Sequence, residues 1–276
     1  MSAIRNVGIV GLGKMGLPMA KHLLAKGFKV AGCDPVDEAR RGGRAAGVEV
    51  LDSPREVAKV SDLVIVVVGF DSEVETVVFG EAGIAAAKRS GLVVALGSTV
   101  APRYAAKLAE RLAASGMVLL DIPLARGEAA AVSGKLLIYG AGDEKAFEAC
   151  RPAFSAFASD IFHLGAAGAG QVGKMVNNLI LWTCISANDE GLRLGEALGV
   201  DPAKLKEALS HGSAQNWAMD SMAERSGMPW AEKDMSIVLH EADLARLSLP
   251  LAGTVKEVIK GLKIRLGLGL PPRSED

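Results

Sequence analysis

The chain has 276 residues, half of them hydrophobic, and its 31 basic and 32 acidic side chains leave a formal net charge of -1. Charges this balanced and this scattered give no footprint for nucleic acid or an anionic membrane, so the expected partners are small molecules. Three well-separated cysteines, Cys33, Cys150 and Cys184, and four dispersed histidines suggest neither a disulfide framework nor a zinc site.

The opening stretch MSAIRNVGIVGLG has no small-residue cleavage site, and no apolar run approaches the ~20 residues of a membrane span, so the expected setting is the cytoplasm. Residues 6–12, 28–34, 62–69, 91–98 and 117–124 are continuous Val/Ile/Leu-rich runs, as strands buried on both faces must be. Their alternation with helix-like segments predicts an α/β domain, a parallel sheet with helices on both sides. Helix starts are expected at Ser53-Pro54, at Ser98-Thr99 ahead of Pro102, and at Asp143. After DIFHLG (160–165) the β-branched runs stop and helical periodicity takes over, first in a long segment from about 171 to 198. Asp201-Pro202 opens another helix, Gly227-Met228-Pro229 marks a turn, 233–247 is again helical, and the stretch 266–276 reads as a loosely held tail. The organisation expected is a first domain over 1–164 and an all-α second domain over 165–276, beginning with a long interdomain helix.

Gly11, Gly13 and Gly16 form Gly-x-Gly-x-x-Gly directly after the first strand and at the start of a helix. In that context glycines let the backbone approach a pyrophosphate at a helix N-terminus, the Rossmann-type arrangement. Asp34 ends the second strand about 20 residues on, where a carboxylate accepts from ribose hydroxyls and repels a 2′-phosphate, favouring NAD while leaving NADP open. The plainer alternative is that the glycines only tighten a turn and Asp34 caps the helix after Pro35. Arg40, Arg41 and Arg44 are read as solvated helix surface.

Gly168, Gly173 and Lys174 match the Gly-x-x-x-x-Gly-Lys of a phosphate-binding NTPase loop, but Met175 stands where a magnesium-ligating hydroxyl is needed. Lys174 and Asn178, four apart, fall on one face of a helix. With Val172, Val176, Leu179, Trp182 and Ile185 on the same helix, the lysine is expected beside apolar surface, where desolvation suits it to acid–base work. A surface lysine and a surface amide are the alternative. Trp217 and Trp230 are read as core.

Together these stretches resemble the β-hydroxyacid dehydrogenase family, which includes 3-hydroxyisobutyrate dehydrogenase, tartronate semialdehyde reductase and, more distantly, the 6-phosphogluconate dehydrogenases. GLGKMGLPMAKHLL is similar to the family's cofactor signature, GSTVAP to its Ser-Thr-x-x-Pro element, GAGQVGKMVNN to its Gly-x-Gly-x-x-x-Lys-x-x-x-Asn motif, and EKDM to its C-terminal Lys-Asp-Leu. The resemblance implies an NAD-dependent oxidoreductase with Lys174 as the catalytic acid/base and Asn178 orienting the substrate. It places Thr99 near the nicotinamide and Lys233 against the cofactor. The candidate cofactor set is Gly11, Leu12, Gly13, Met15, Gly16, Asp34, Val68, Thr99 and Lys233; the candidate substrate set is Ser98, Ala125, Arg126, Gly127 and Asn178. A homodimer or homotetramer acting on a small anionic hydroxyacid or aldehyde, with no metal, is implied.

One stretch departs from the family, which usually reads Asp-x-Pro-Val-Ser-Gly-Gly where this chain reads Asp121-Ile122-Pro123-Leu124-Ala125-Arg126-Gly127. Ala125 lacks the hydroxyl, and Arg126 offers a charged fork suited to a carboxylate, sulfonate or phosphate. An arginine after a small residue resembles the branch that reduces 3-sulfolactaldehyde. The alternative is an ion pair of Arg126 with Glu128 or another acid. Rival functions are an imine reductase, which Lys174 and Asn178 disfavour, and a cofactor-binding module without catalysis.

Overall fold

The computed structural model describes residues 4–220 and 228–269; Gly227 of the expected turn and residues 270–276 of the expected tail lie outside them. The chain divides into two compact units, Met1–Lys174 and Met175–Asp276.

In the first unit the strands are β1 (Asn6–Val10), β2 (Lys29–Cys33), β3 (Glu49–Val50), β4 (Leu63–Val66), β5 (Val93–Leu96), β6 (Val118–Asp121), β7 (Leu124–Ala125), β8 (Leu136–Gly142) and β9 (Ala158–His163). Between them run α1 (Gly16–Ala25), α2 (Asp37–Ala45), α3 (Pro54–Val60), α4 (Asp71–Phe79), α5 (Pro102–Ala114), α6 (Gly127–Ser133) and α7 (Glu144–Phe154). The sheet order is β3-β2-β1-β4-β5-β6-β8-β7, with β9 beside β8. Alternate residues of one strand feed opposite cores: Val7, Ile9, Leu63, Ile65, Val93 and Ala95 pack on one face, Val10, Val64, Val66, Val94 and Leu96 on the other. This is the Rossmann-type sheet with helices on both faces.

The expected parallel sheet holds from β3 through β6 and then changes. β8 lies antiparallel to β6 and β7 and parallel to β9. Between Ala125 and Leu136 the chain is too short for a parallel crossover, which takes about a dozen residues or more. Two helix starts are as expected: Ser53 caps α3 by accepting from Glu56 N at 3.2 Å, and Asp143 caps α7 by accepting from Ala146 N at 2.8 Å. Ser98 and Thr99 do not cap α5; its N-cap is Ala101, and Pro102 starts it with a preset φ.

The second unit is helical. α8 (Ala169–Ala197) carries the chain from the first unit into it, followed by α9 (Pro202–Leu209), α10 (Trp217–Asp220), α11 (Ala231–Leu244) and α12 (Pro250–Arg265). Asp201 caps α9 through Ala203 N and Lys204 N. Trp182, Ile185, Met235, Val238, Val255 and Ile259 share its core. Inside it Lys263 Nζ donates to Glu232 Oε2 at 2.9 Å, the lysine only 1% exposed. Trp217 and Trp230, expected in the core, are exposed. Among the described residues no helix is long and apolar enough to cross a membrane.

Candidate active site

In the order 3-2-1-4-5-6 the chain leaves β1 toward one edge and β4 toward the other, and the crevice beyond the carboxyl ends of these strands is where such sheets bind ligands. The glycine loop leaves the end of β1. A Cβ on Gly11 would stand 2.1 Å from Val67 O, and one on Gly16 1.8 Å from Gly11 O, whereas one on Gly13 would meet nothing within 4 Å. Gly11 also has φ +99°. The loop's own backbone therefore demands glycine at 11 and 16, while Gly13 keeps an approach open to something outside the protein. Beyond the loop, α1 starts with no side-chain cap and no acid in its first turn, as suits a helix end that faces a phosphate. Those features fit a dinucleotide.

Asp34 braces this loop: Oδ2 accepts from Leu12 N at 2.7 Å and Oδ1 from Val36 N at 2.8 Å. The helix after Pro35 is capped by Val36, so Asp34 ties the ends of β1 and β2 together rather than capping α2. Each carboxylate oxygen has a second lone pair for a ribose hydroxyl. Arg40 pairs with Asp52 at 2.9 Å, and Arg41 and Arg44 are exposed. Leu12 is buried, Met15 half-buried.

At the ends of β4 and β5, Ser98 is buried and its hydroxyl accepts from Val68 N at 2.8 Å. Ser98 therefore holds the loop in shape, and half-buried Thr99 is its neighbour. Gln171 of α8 grips the same loop: Nε2 donates to Ser98 O at 3.0 Å and Oε1 accepts from Val100 N at 3.1 Å. The other anchor of Gln171 is Asp121, the last residue of β6, which is fully buried. Burial pushes the Asp121 carboxyl up to about 6, against the opposing effect of N–H donors from Gln171, Gly168 and Gly170.

Ala125, the last residue of β7, is buried, and in the turn that follows Arg126 and Gly127 are exposed with φ of 81° and 76°. Arg126 makes an ion pair, though not with Glu128: Nη1 donates to Asp160 Oδ2 at 2.6 Å, Ser159 Oγ at 3.0 Å and Lys135 O at 3.2 Å. Among the described residues its Nε and Nη2 have no hydrogen-bond partner. Glu128 lies 3.5 Å from Lys14 of the glycine loop.

Gly168 to Lys174 is not a phosphate loop, because all but its first residue lie inside α8. Gly173 packs on β8, a Cβ there reaching to 3.2 Å from Tyr139 and 2.6 Å from Leu164. Lys174 is half-buried, and its expected apolar neighbours divide: Val172 and Val176 are exposed, while Trp182 and Ile185 are buried. Asn178 is buried; its Nδ2 donates to Asp234 Oδ2 at 2.8 Å, an oxygen that also accepts from Trp182 Nε1 at 3.1 Å. Lys233 Nζ stands 5.5 Å from the Trp230 ring centroid. Asp121, Gln171 and Asp234 are not among the expected site residues; all three stand in quoted stretches, and only their burial as polar residues marks them out.

The NAD-binding domain model of 6-phosphogluconate dehydrogenase matches residues 6–165, and the NAD-binding model of NADP-dependent 3-hydroxyisobutyrate dehydrogenase matches 168–269. L-threonate dehydrogenase of Cupriavidus necator is 33% identical over 264 residues, covering 92% of this chain and 89% of that protein. The 3-hydroxyisobutyrate dehydrogenase of Pseudomonas aeruginosa is 32% identical, covering 92% of this chain and 90% of its own length. The solved structure of 3-hydroxyisobutyrate dehydrogenase from Mycobacterium tuberculosis with L-serine superposes with a TM-score of 0.84 at 26% identity, covering 96% of this chain and 94% of that one.

Proposed function

The chain belongs to the β-hydroxyacid dehydrogenase family of NAD(P)-dependent oxidoreductases acting on CH–OH groups, and on that premise we propose that it interconverts a small 3-hydroxyacid and its semialdehyde, with Lys174 as the general acid/base. The observation that carries the reading is the glycine loop with an open approach at Gly13, at the same sheet edge as the loop bearing Thr99 that Gln171 ties to the α8 turns leading to Lys174. When bound, the nicotinamide supplies or accepts the hydride. Gly11, Leu12, Gly13, Met15 and Gly16 cradle the pyrophosphate, Asp34 takes the ribose hydroxyls and favours NAD over NADP, and Val68, Thr99 and Lys233 contact the remainder.

During oxidation Lys174 Nζ takes the hydroxyl proton; during reduction it returns that proton to the carbonyl oxygen, and its positive charge stabilises the oxygen as charge builds there. Asn178 orients the substrate through an amide whose own orientation Asp234 fixes. The turn Ala125-Arg126-Gly127 receives the substrate's acid group, with Arg126 contributing Nε and Nη2 while Nη1 stays on Asp160. A sulfonate suits that fork as well as a carboxylate does, and the test includes both. We place the domain limits at 1–164 and 165–276, and we propose a homo-oligomer with exposed Ile180 and Leu194 of α8 among its contact residues.

The test is NAD and NADP reduction, followed by absorbance, with 3-hydroxyisobutyrate, L-serine, L-threonate, 2,3-dihydroxypropane-1-sulfonate and the uncharged 1,3-propanediol. Turnover of at least one acid, with none of the diol and faster with NAD, is expected. Saturable NADH binding without turnover of any acid would return the imine reductase and the non-catalytic module to the front.

A further inference from the structure

We propose that Asp121 and Gln171 are positioning residues for this reaction, a buried carboxylate–amide pair that sets the first turns of α8, and with them Lys174, against the loop that carries Thr99. The inference rests on Lys174 being the acid/base. Asp121 ends β6 in register with Leu96 of β5, the strand that leads into Ser98. From there Oδ2 accepts from Gly168 N at 3.0 Å and Gln171 N at 3.1 Å, N–H groups at the start of α8 that have no acceptor within the helix. Its other oxygen accepts from Gln171 Nε2 at 3.0 Å.

The amide of Gln171 then finishes the connection. Through Ser98 O and Val100 N it holds the backbone on either side of Thr99. Gly168 turns the chain at φ +98°, and Gly170 admits the close docking: a Cβ there would stand 2.4 Å from Tyr139 O and 3.0 Å from both Asp121 O and Asp121 Oδ2. The Gly-x-Gly of the motif is thus a docking surface for Asp121 and β8. Lys174 follows Gly170 by one helical turn, so a tilt of the docked turns moves its ammonium directly. Asp121 and Gln171 are 0% and 1% exposed, and their hydrogen bonds end on neighbours of Thr99 and on the helix of Lys174. A pair serving only stability has no need of those endpoints.

The test uses the full chain with NAD and whichever of 3-hydroxyisobutyrate, L-serine and L-threonate it turns over best. Gln171→Leu and Asp121→Asn are each expected to lower kcat about 10- to 100-fold, the scale of a displacement of ~1 Å at a reacting group, while NADH affinity stays within about twofold. In a Lys174→Ala background neither substitution is expected to lower single-turnover rates further, because both act through the lysine. Wild-type kcat in a folded single variant, or losses that multiply with that of Lys174→Ala, would overturn the proposal. Lys174→Ala with undiminished turnover would instead defeat the parent reading, so the two failures are distinct. If one variant does not fold, the other carries the same comparison.

Discussion

Gly13→Ala and Gly16→Ala, three residues apart, should fail in opposite ways. A methyl on Gly16 would stand 1.8 Å from Gly11 O and 3.2 Å from Ile9 Cγ2, a collision with backbone that only movement of the loop or α1 relieves. Overpacking of this kind costs about 3 kcal/mol, less the ~1 kcal/mol that alanine gains over glycine in a helix. At about 2–4 °C per kcal/mol for a domain of this size, the net loss of about 2 kcal/mol should lower Tm by roughly 4–8 °C. Gly13→Ala meets nothing within 4 Å and keeps an ordinary φ, so stability should stay within about 0.5 kcal/mol of wild type or rise slightly. Its methyl would occupy the pyrophosphate approach, and NADH Kd should rise at least about tenfold, or ~1.4 kcal/mol. Calorimetry for Tm and NADH fluorescence titration for Kd separate the two. A Gly13→Ala protein that binds NADH as wild type does would refute the assignment of this loop to the cofactor, and a Gly16→Ala protein of unchanged Tm would refute the packing argument.

Asp121 carries a stability signature. Its folded pKa, about 6, lies above the 3.8 of a free aspartate, so its contribution is fully present below about pH 4 and is lost as pH rises through 6. At 1.36 kcal/mol per pH unit, wild type should lose about 3 kcal/mol relative to Asp121→Asn between pH 3.5 and pH 7; parallel urea-unfolding curves would contradict this. Lys263→Met strands Glu232 in the helical core and should cost about 3–5 kcal/mol, most of it recovered by adding Glu232→Leu; equal stability of the single and double variants in urea would rule this out. Arg126→Gly should change stability by less than about 1 kcal/mol, because relief of the left-handed strain offsets the lost exposed ion pair. Its KM for an anionic substrate should nevertheless rise about tenfold or more, and an unchanged KM would remove Arg126 from substrate binding.

What was legible in the sequence follows from how each feature is encoded. β1, β2, β4, β5 and β6 are buried on both faces and read as unbroken apolar runs, the plainest signal of a strand in a parallel sheet. β8 alternates buried and half-buried residues and β9 is mostly half-exposed, and neither stretch is among the continuous runs read as strands. α12 is expected only as part of an all-α second domain, without bounds of its own, and Gly253 and Gly261 interrupt its pattern. Gly11, Gly13 and Gly16 are visible by spacing because a local turn dictates them. The bond of Gln171 to Asp121 spans 50 residues, and that of Asn178 to Asp234 spans 56, so only the fold brings these partners together. Arg126 was visible as a departure, but Asp160 lies 34 residues on and carries no motif.

The central claim is that Lys174 moves the proton that accompanies hydride transfer. Its most direct test is single-turnover reduction of NAD by wild type and Lys174→Ala, with the best-used acid saturating and NADH affinity measured in parallel. The account predicts a loss of about 10²- to 10⁴-fold in the chemical step, with NADH Kd essentially unchanged. A Lys174→Ala protein that reduces NAD at the wild-type rate would contradict it.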